Sequence, residues 1–300
     1  MYMQVCAILS DYDGTLCPTT SIRNGQDAIP EELEKILWDI SEKIPVCIIS
    51  SKDFDFLHNK TRFANVISCI LGIETLVLRR HKKAILTPTG LKEGISSDRI
   101  PECQDFKCIK NNYLYVDDST LQHNSKILSQ LAEKIASDFK EVSIEQKFTA
   151  TSQKTLAGIT IDWRHTGDWR SFKVGLEPQL RKLMMEKQRK PHIGTSNIYI
   201  QTYTTHPFID IYAAKCDKGI AYNRVISEIS TIDSVLQNVI MYLGDSENDN
   251  PAFRKADVSI GINSDERLNP KLDCKYTLKL DKLAGFLEKL QNDNFVFSGL

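Results

Sequence analysis

The chain has 300 residues, 41% hydrophobic and 26% charged, with 38 basic against 39 acidic side chains and a formal net charge of −1. This is the balance of an ordinary globular protein long enough for two modest domains, and it argues against a global nucleic-acid footprint or a basic membrane-binding face. No apolar run approaches the roughly 20 residues that span a bilayer, and the apolar N-terminal stretch lacks a basic leader, so a cytoplasmic protein with no membrane partner is expected.

The first element is an apolar strand, Val5 to Ser10, that runs directly into Asp11-Tyr12-Asp13-Gly14-Thr15. After Pro30, the apolar residues Leu33, Ile36, Leu37, Ile40 and Ile44 fall at helical spacing. Pro30 opens that helix, where a missing N–H costs nothing. Val46 to Ser50 is a continuous apolar run that reads as a buried parallel strand, and Ile67 to Leu71 reads as a third strand. Strand and helix alternating in this way imply a parallel sheet with right-handed crossovers.

The texture changes at the basic run Arg79 to Lys83, which reads as a solvated linker and a domain boundary. Thr87 to Asn112 carries Pro88, Gly90, Gly94 and Pro101 with no period, and reads as loop. Ile127, Leu128, Leu131, Ile135 and Phe139 mark a helix, Lys154 to Arg164 a strand, and Leu176 to Met184 a second helix expected to start near Pro178. Two more strands, Ile198 to Tyr203 and Phe208 to Ala213, complete an α+β unit. The parallel pattern then resumes with a helix through Ile220 to Ile229, strands at Val239 to Leu243 and Val258 to Ile262, and a terminal helix through Leu283 to Leu290. The expectation is an α/β core, residues 1–82 and 213–300, split by an α+β insert at 83–212. Eight scattered cysteines without a Cys-x-x-Cys pair argue against zinc. Most are expected to be small core residues, with a Cys103–Cys108 disulfide left open.

Four features fall where parallel strands end or helices begin, the place where open α/β sheets bind ligands. They are Asp11/Asp13 with Gly14 and Thr15; Ser50; Lys218 before Gly219; and Asp245 to Asp249 after Gly244. Singly each has a plain structural role: a strand-end serine, a surface lysine, a helix-capping aspartate. Jointly they suit a divalent metal and a phosphate ester. Two carboxylates held together repel unless a cation or shared proton relieves them. One would ligate the metal and attack phosphorus; the other would exchange a proton with the leaving oxygen. Ser50 would hydrogen-bond a phosphoryl oxygen, Lys218 would neutralise charge, Asp245 would take the metal, and Asp249 would order its waters or steer Lys218.

This set resembles the four motifs of the haloacid dehalogenase superfamily. The resemblance implies Asp11 as nucleophile, Asp13 as acid/base, and Mg2+ held by Asp11, the Asp13 carbonyl and Asp245. An insert between the second and third motifs is similar to the α+β cap of the sugar-phosphatase branch, implying a Rossmann-like core with an inserted cap. Within that branch the chain resembles trehalose-6-phosphate phosphatases. It carries Glu145-Gln146-Lys147 where they have Glu-x-Lys, Asp162-Trp163-Arg164 where they have His-Tyr-Arg, and Phe253 after the last motif. It departs from them at Ser50-Ser51-Lys52, where they have Ser-Gly-Arg, and at Gly244 to Asn250, where they have Gly-Asp-Asp-x-Thr-Asp-Glu and this chain is nearer the general sugar-phosphatase form. The implied substrate is a small phosphorylated sugar. Gly14, Thr15, Ser51, Lys52, Glu145, Lys147 and Arg164 are the candidate substrate-binding residues, in a monomer or homodimer. The alternatives are a phosphomannomutase-like phosphotransferase, or a phosphatase for mannosyl-3-phosphoglycerate or phosphoglycolate.

Overall fold

The computed structural model describes residues 2–18, 28–78, 109–188, 198–204, 206–232, 239–263 and 271–300. The basic run at Arg79 to Lys83, most of the Thr87 to Asn112 segment, and Cys103 and Cys108 lie outside them. The six described cysteines are all free thiols, four of them buried. No helix among the described residues is long and apolar enough to cross a membrane.

Strand β1 (Met3–Ser10) lies at the centre of the larger sheet because both of its faces are covered. Ile8 packs with one apolar cluster and its neighbours Ala7 and Leu9 with another. A strand buried on both sides has no need to alternate, which is why it reads as an unbroken apolar run. The same holds for β2 (Val46–Ile49), β3 (Val66–Cys69) and β4 (Glu74–Leu78), whose residues are all buried. The chain continues through β5 (Ile109–Leu114), β6 (Ser143–Phe148), β7 (Leu156–Asp162), β8 (Tyr199–Thr202), β9 (Phe208–Tyr212), β10 (Val239–Gly244), β11 (Val258–Asn263), β12 (Tyr276–Lys279) and β13 (Val296–Phe297). The large sheet runs β12-β11-β10-β1-β2-β3-β4-β5, with β13 paired to the start of β1. It is parallel from β12 to β3 and antiparallel at β3/β4 and β4/β5. The four-stranded sheet β6-β7-β9-β8 is antiparallel throughout.

Helix α1 (Glu31–Ser41) buries Leu33, Ile36, Leu37 and Ile40, the residues its spacing predicts. The short α2 (Phe54–Leu57) is N-capped by Asp53, which accepts from Phe56 N. Helices α3 (Asp118–Asp138) and α4 (Trp169–Gln188) share an apolar cluster with Ile159, Ile161, Ile209 and Ile211 of the antiparallel sheet. Helix α5 (Lys218–Ile232) packs Ala221, Tyr222, Val225 and Ile229 with Leu9, Cys47 and Ile49 of the large sheet. The short α6 (Asn250–Phe253) and the terminal α7 (Leu280–Asn292) complete the set. The fold is therefore a Rossmann-like α/β core with an α+β cap inserted between β5 and α5.

Three sequence expectations are corrected. Helix α4 begins at Trp169, not near Pro178, which lies in its interior. The Asp168 side chain accepts Ser171 N at 3.2 Å, and this cap starts the helix about two turns earlier. Buried Leu176 and Leu180 on either side of the proline hold it against the cap. Residues 109–112, read as the end of a loop, form β5 with Tyr113 and Leu114, beside β4 in the large sheet. An edge strand with mostly half-buried or exposed side chains gives no apolar pattern to read. The third strand stops at Cys69, because Ile70 and Leu71 turn into left-handed backbone at φ +51° and +52°.

Candidate active site

The carboxyl ends of β1, β2 and β10 meet at one point of the large sheet. Asp11 N donates to Leu243 O at 3.0 Å, which continues the β1–β10 ladder by one residue and sets Asp11 beside Asp245. The chain then reverses at Gly14, whose φ is +82°. A Cβ here would lie 2.0 Å from Asp245 Oδ2, so the glycine makes room for a carboxylate. Thr15 Oγ1 donates to Asp245 Oδ1 at 3.2 Å and fixes that carboxylate's rotation.

Lys218, at the start of α5, is 1% exposed, far from the surface lysine that composition alone favours. Its ammonium lies 2.6 Å from Asp11 Oδ2 and 2.7 Å from Asp249 Oδ1. Asp249 is fully buried and accepts five contacts. Lys218 Nζ and Tyr242 OH (2.6 Å) reach Oδ1, while Asp245 N (3.2 Å), Ser246 N (3.0 Å) and Ser246 Oγ (3.1 Å) reach Oδ2. Asp249 thus steers Lys218 and pins the loop that carries Asp245.

Carboxylate oxygens of Asp11, Asp245 and Asp249 lie within 4.8 Å of one another. With Asp249 occupied by five donors, Asp11 and Asp245 are the pair able to share a cation. Burial pushes the Asp11 carboxyl up, against the pull of Lys218. Burial and the charges of Asp11 and Asp249 push Asp245 well up. Burial works to lower the Lys218 ammonium, but Asp11 and Asp249 outweigh it and hold it above the lysine range. One ammonium among three closely set carboxylates, Asp11 and Asp249 buried and Asp245 half-buried, leaves negative charge uncompensated when all three are ionised, and the ligand atoms they offer are oxygens. This is the chemistry of a hard divalent cation site.

Asp13 points the other way, toward the cap. Its Oδ1 is buried with no hydrogen-bond partner among the described residues. Burial raises its pKa, Lys52 opposes the rise and Glu145 adds to it; the charges of Lys218 and Arg164 also reach it. Ser50 is 1% exposed at the end of β2, and its Oγ accepts Lys52 N at 3.1 Å. Ser51 sits half-buried on the same loop. Lys52 bonds both oxygens of Glu145, at 2.9 and 2.7 Å, so these two residues join core to cap.

Lys147 is held inside the cap. At 1% exposure its Nζ lies 3.3 Å from Asp210 Oδ1 and 5.4 Å from the centre of the Tyr212 ring. Arg164 Nε lies 2.5 Å from Asp162 Oδ2, with the guanidinium 6.0 Å from the Phe208 ring centre. Thus Glu145, Lys147, Thr160, Asp210 and Tyr212 line the cap face opposite its helices, in a register that alternates with the apolar residues.

Sequence reasoning missed Asp210, which accepts from Lys147, Thr160 and Tyr203 (2.6 Å to the last). A carboxylate in the middle of Phe208–Tyr212, an otherwise apolar strand, was the available signal, since buried charges must be paired. It also missed the second junction of cap and core. Glu247 accepts Thr204 N (2.6 Å) and Thr204 Oγ1 (2.5 Å), and Gln201 donates to Asn248 at 2.8 Å. These pairs join residues more than forty positions apart and leave no local pattern.

Residues 8–279 match the model of the haloacid dehalogenase-like hydrolase family. The chain belongs to that family. Comparison with curated proteins by sequence gives no match. Among solved structures, the chain is similar to the C-terminal domain of a trehalose-6-phosphate phosphatase from C. albicans (16% identity, TM-score 0.60, 97% of this chain and 93% of that one). It is similar to a trehalose-6-phosphate phosphatase related protein (16%, TM-score 0.58, covering 95% and 97%). It is also similar to the subclass IIB sugar phosphatase BT4131 (12%, TM-score 0.52, covering 96% and 99%). At these identities the likeness is one of fold.

Proposed function

We propose that this hydrolase is a Mg2+-dependent phosphomonoesterase acting on a sugar phosphate, with trehalose 6-phosphate the first candidate. The observation that carries the reading is Asp11 seated between Lys218 and Asp245, with an Asp13 oxygen beside it on the cap side that has no partner among the described residues. A pure binding protein has no use for that second carboxylate. In the proposed reaction Asp11 attacks phosphorus in line, and the bond to the sugar oxygen breaks. Asp13 gives its proton to that departing oxygen. It then takes a proton from the water that attacks the aspartyl phosphate, releasing inorganic phosphate and restoring Asp11. Lys218 and Ser50 hold the phosphoryl oxygens.

Asp11, Asp245 and the Asp13 carbonyl would hold Mg2+, which when bound supplies the positive charge that the carboxylate cluster lacks. Residues 83–212, less the β5 strand that joins the large sheet, would act as the cap that reads the leaving group. Gly14 and Thr15 serve this site by seating Asp245. Lys52 and Glu145 close cap on core, and Ser51, Lys147 and Arg164 are the remaining contacts proposed for the sugar side.

The test is a screen of trehalose 6-phosphate, mannosyl-3-phosphoglycerate, phosphoglycolate and other phosphate esters, with and without Mg2+. Mannose 1-phosphate is followed by product analysis to detect isomerisation. Phosphate release that needs the metal and vanishes in Asp11→Asn is the expected result. Isomerised sugar without phosphate release would make the chain a mutase, and no turnover on any ester would overturn the reading.

A further inference from the structure

Strand β6 carries Glu145 and Lys147 and is an edge of the antiparallel sheet. An edge strand presents a row of backbone amides with no ladder partner. At the end of β6, Thr149 N turns inward to Thr155 O (3.0 Å), so the amides of Phe148 and Ala150 face outward. Both end on carboxylates of the core. Phe148 N donates to Asp53 Oδ2 at 3.1 Å, and Ala150 N donates to both oxygens of Glu74 at 3.0 and 2.9 Å. Two core side chains therefore stand at alternate positions where, among the described residues, β6 has no neighbour strand.

Neither carboxylate is incidental. Glu74 is fully buried on β4 and also accepts Asn112 Nδ2 of β5 at 2.8 Å. Asp53 caps α2 with its other oxygen and follows directly on Ser50-Ser51-Lys52. The loop beside the phosphoryl site and the cap strand above it are thus tied through one side chain. At the far side of the cap, Thr204 meets Glu247 through exposed contacts instead.

We propose that Glu74 and Asp53 are positioning residues that seat the edge of β6 on the core and so fix Glu145, whose charge reaches Asp13, and Lys147 on the same face of the strand. Recognition of the leaving group, more than the chemical step, then depends on them. The functional half of this inference rests on the phosphatase reading above; the structural half does not.

The test uses Glu74→Gln and Asp53→Asn in the full chain. Glutamine loses one acceptor and turns an amide N–H toward Ala150 or Asn112. Amide exchange over residues 143–150 should accelerate about tenfold or more in either variant, the equivalent of one charge-assisted bond, while β2 keeps its protection. KM for trehalose 6-phosphate should rise about tenfold, with kcat on p-nitrophenyl phosphate within about twofold of the parent. Glu74→Asp, which keeps the charge, should recover part of both effects. Unchanged exchange over 143–150 in both variants overturns the proposal, as does equal loss on both substrates. Exchange is read without turnover. A parent chain that hydrolyses no ester would therefore overturn the phosphatase reading and leave exchange to decide this one. If Glu74→Gln does not fold, Asp53→Asn decides it.

Discussion

Replacing Gly14 by alanine tests the geometry of the carboxylate cluster with a single methyl group. The backbone at Gly14 has φ +82°, and an L-residue held in left-handed backbone costs about 1–2 kcal/mol. The added Cβ would also meet Asp245 Oδ2 at 2.0 Å, its Cγ at 2.5 Å and Oδ1 at 3.0 Å. Asp245 must then swing away by on the order of 1 Å, a misplacement that costs about a hundredfold in rate at a preorganised site. The two effects separate. Strain alone should lower the melting temperature by about 2–8 °C at this chain length. Displacement of Asp245 should weaken Mg2+ binding and cut turnover of p-nitrophenyl phosphate by about two orders of magnitude in protein that remains folded. Calorimetric Mg2+ titration, thermal denaturation by circular dichroism and initial rates read the three quantities on one preparation. A folded Gly14→Ala protein with parental metal affinity and turnover within about threefold of the parent would refute the claim that this glycine exists to admit Asp245.

Asp249→Asn should lower kcat about 10- to 100-fold by leaving Lys218 one carboxylate, with Mg2+ affinity retained; loss of metal binding to the level of Asp245→Ala would make Asp249 a ligand. Lys147→Ala strands the buried Asp210 charge and should destabilise by about 3–5 kcal/mol, measured by urea denaturation, whereas Lys147→Ala with Asp210→Asn should recover much of it. A single variant no less stable than the double would contradict the pairing. Burial works to raise Asp210, but Lys147, Thr160 and Tyr203 outweigh it and hold the carboxyl below the usual aspartate range. Its contribution to stability is therefore complete above the unfolded aspartate value of about 4 and is lost as pH falls through the lower folded value. The acid limb of the stability curve should be shallower in Asp210→Asn, and identical limbs in parent and variant would count against the depressed carboxyl.

The chain-local part of this protein was legible from its residues. Strands buried on both faces announce themselves as apolar runs, as at Val46 to Ile49, because no solvent-facing position interrupts them. Motif residues where strands end, Asp11, Ser50 and Asp245, and where a helix begins, Lys218, could be picked out because parallel sheets gather their ligands there. What the residues could not disclose is what each side chain meets across the fold. Lys52 and Glu145 are 93 positions apart, and Lys147 and Asp210 are 63. Sequence presents all four as candidate sugar contacts or leaves them unremarked, whereas folding pairs them with one another. A Cβ at Gly14 would meet Asp245 some 230 positions away, and nothing local to the glycine discloses that neighbour. The edge strand β5 escaped notice because it has no second apolar face to show. Periodicity encodes which face of an element is buried; the partner of a buried charge is chosen by whichever distant element packs against that face, and that choice exists only in three dimensions.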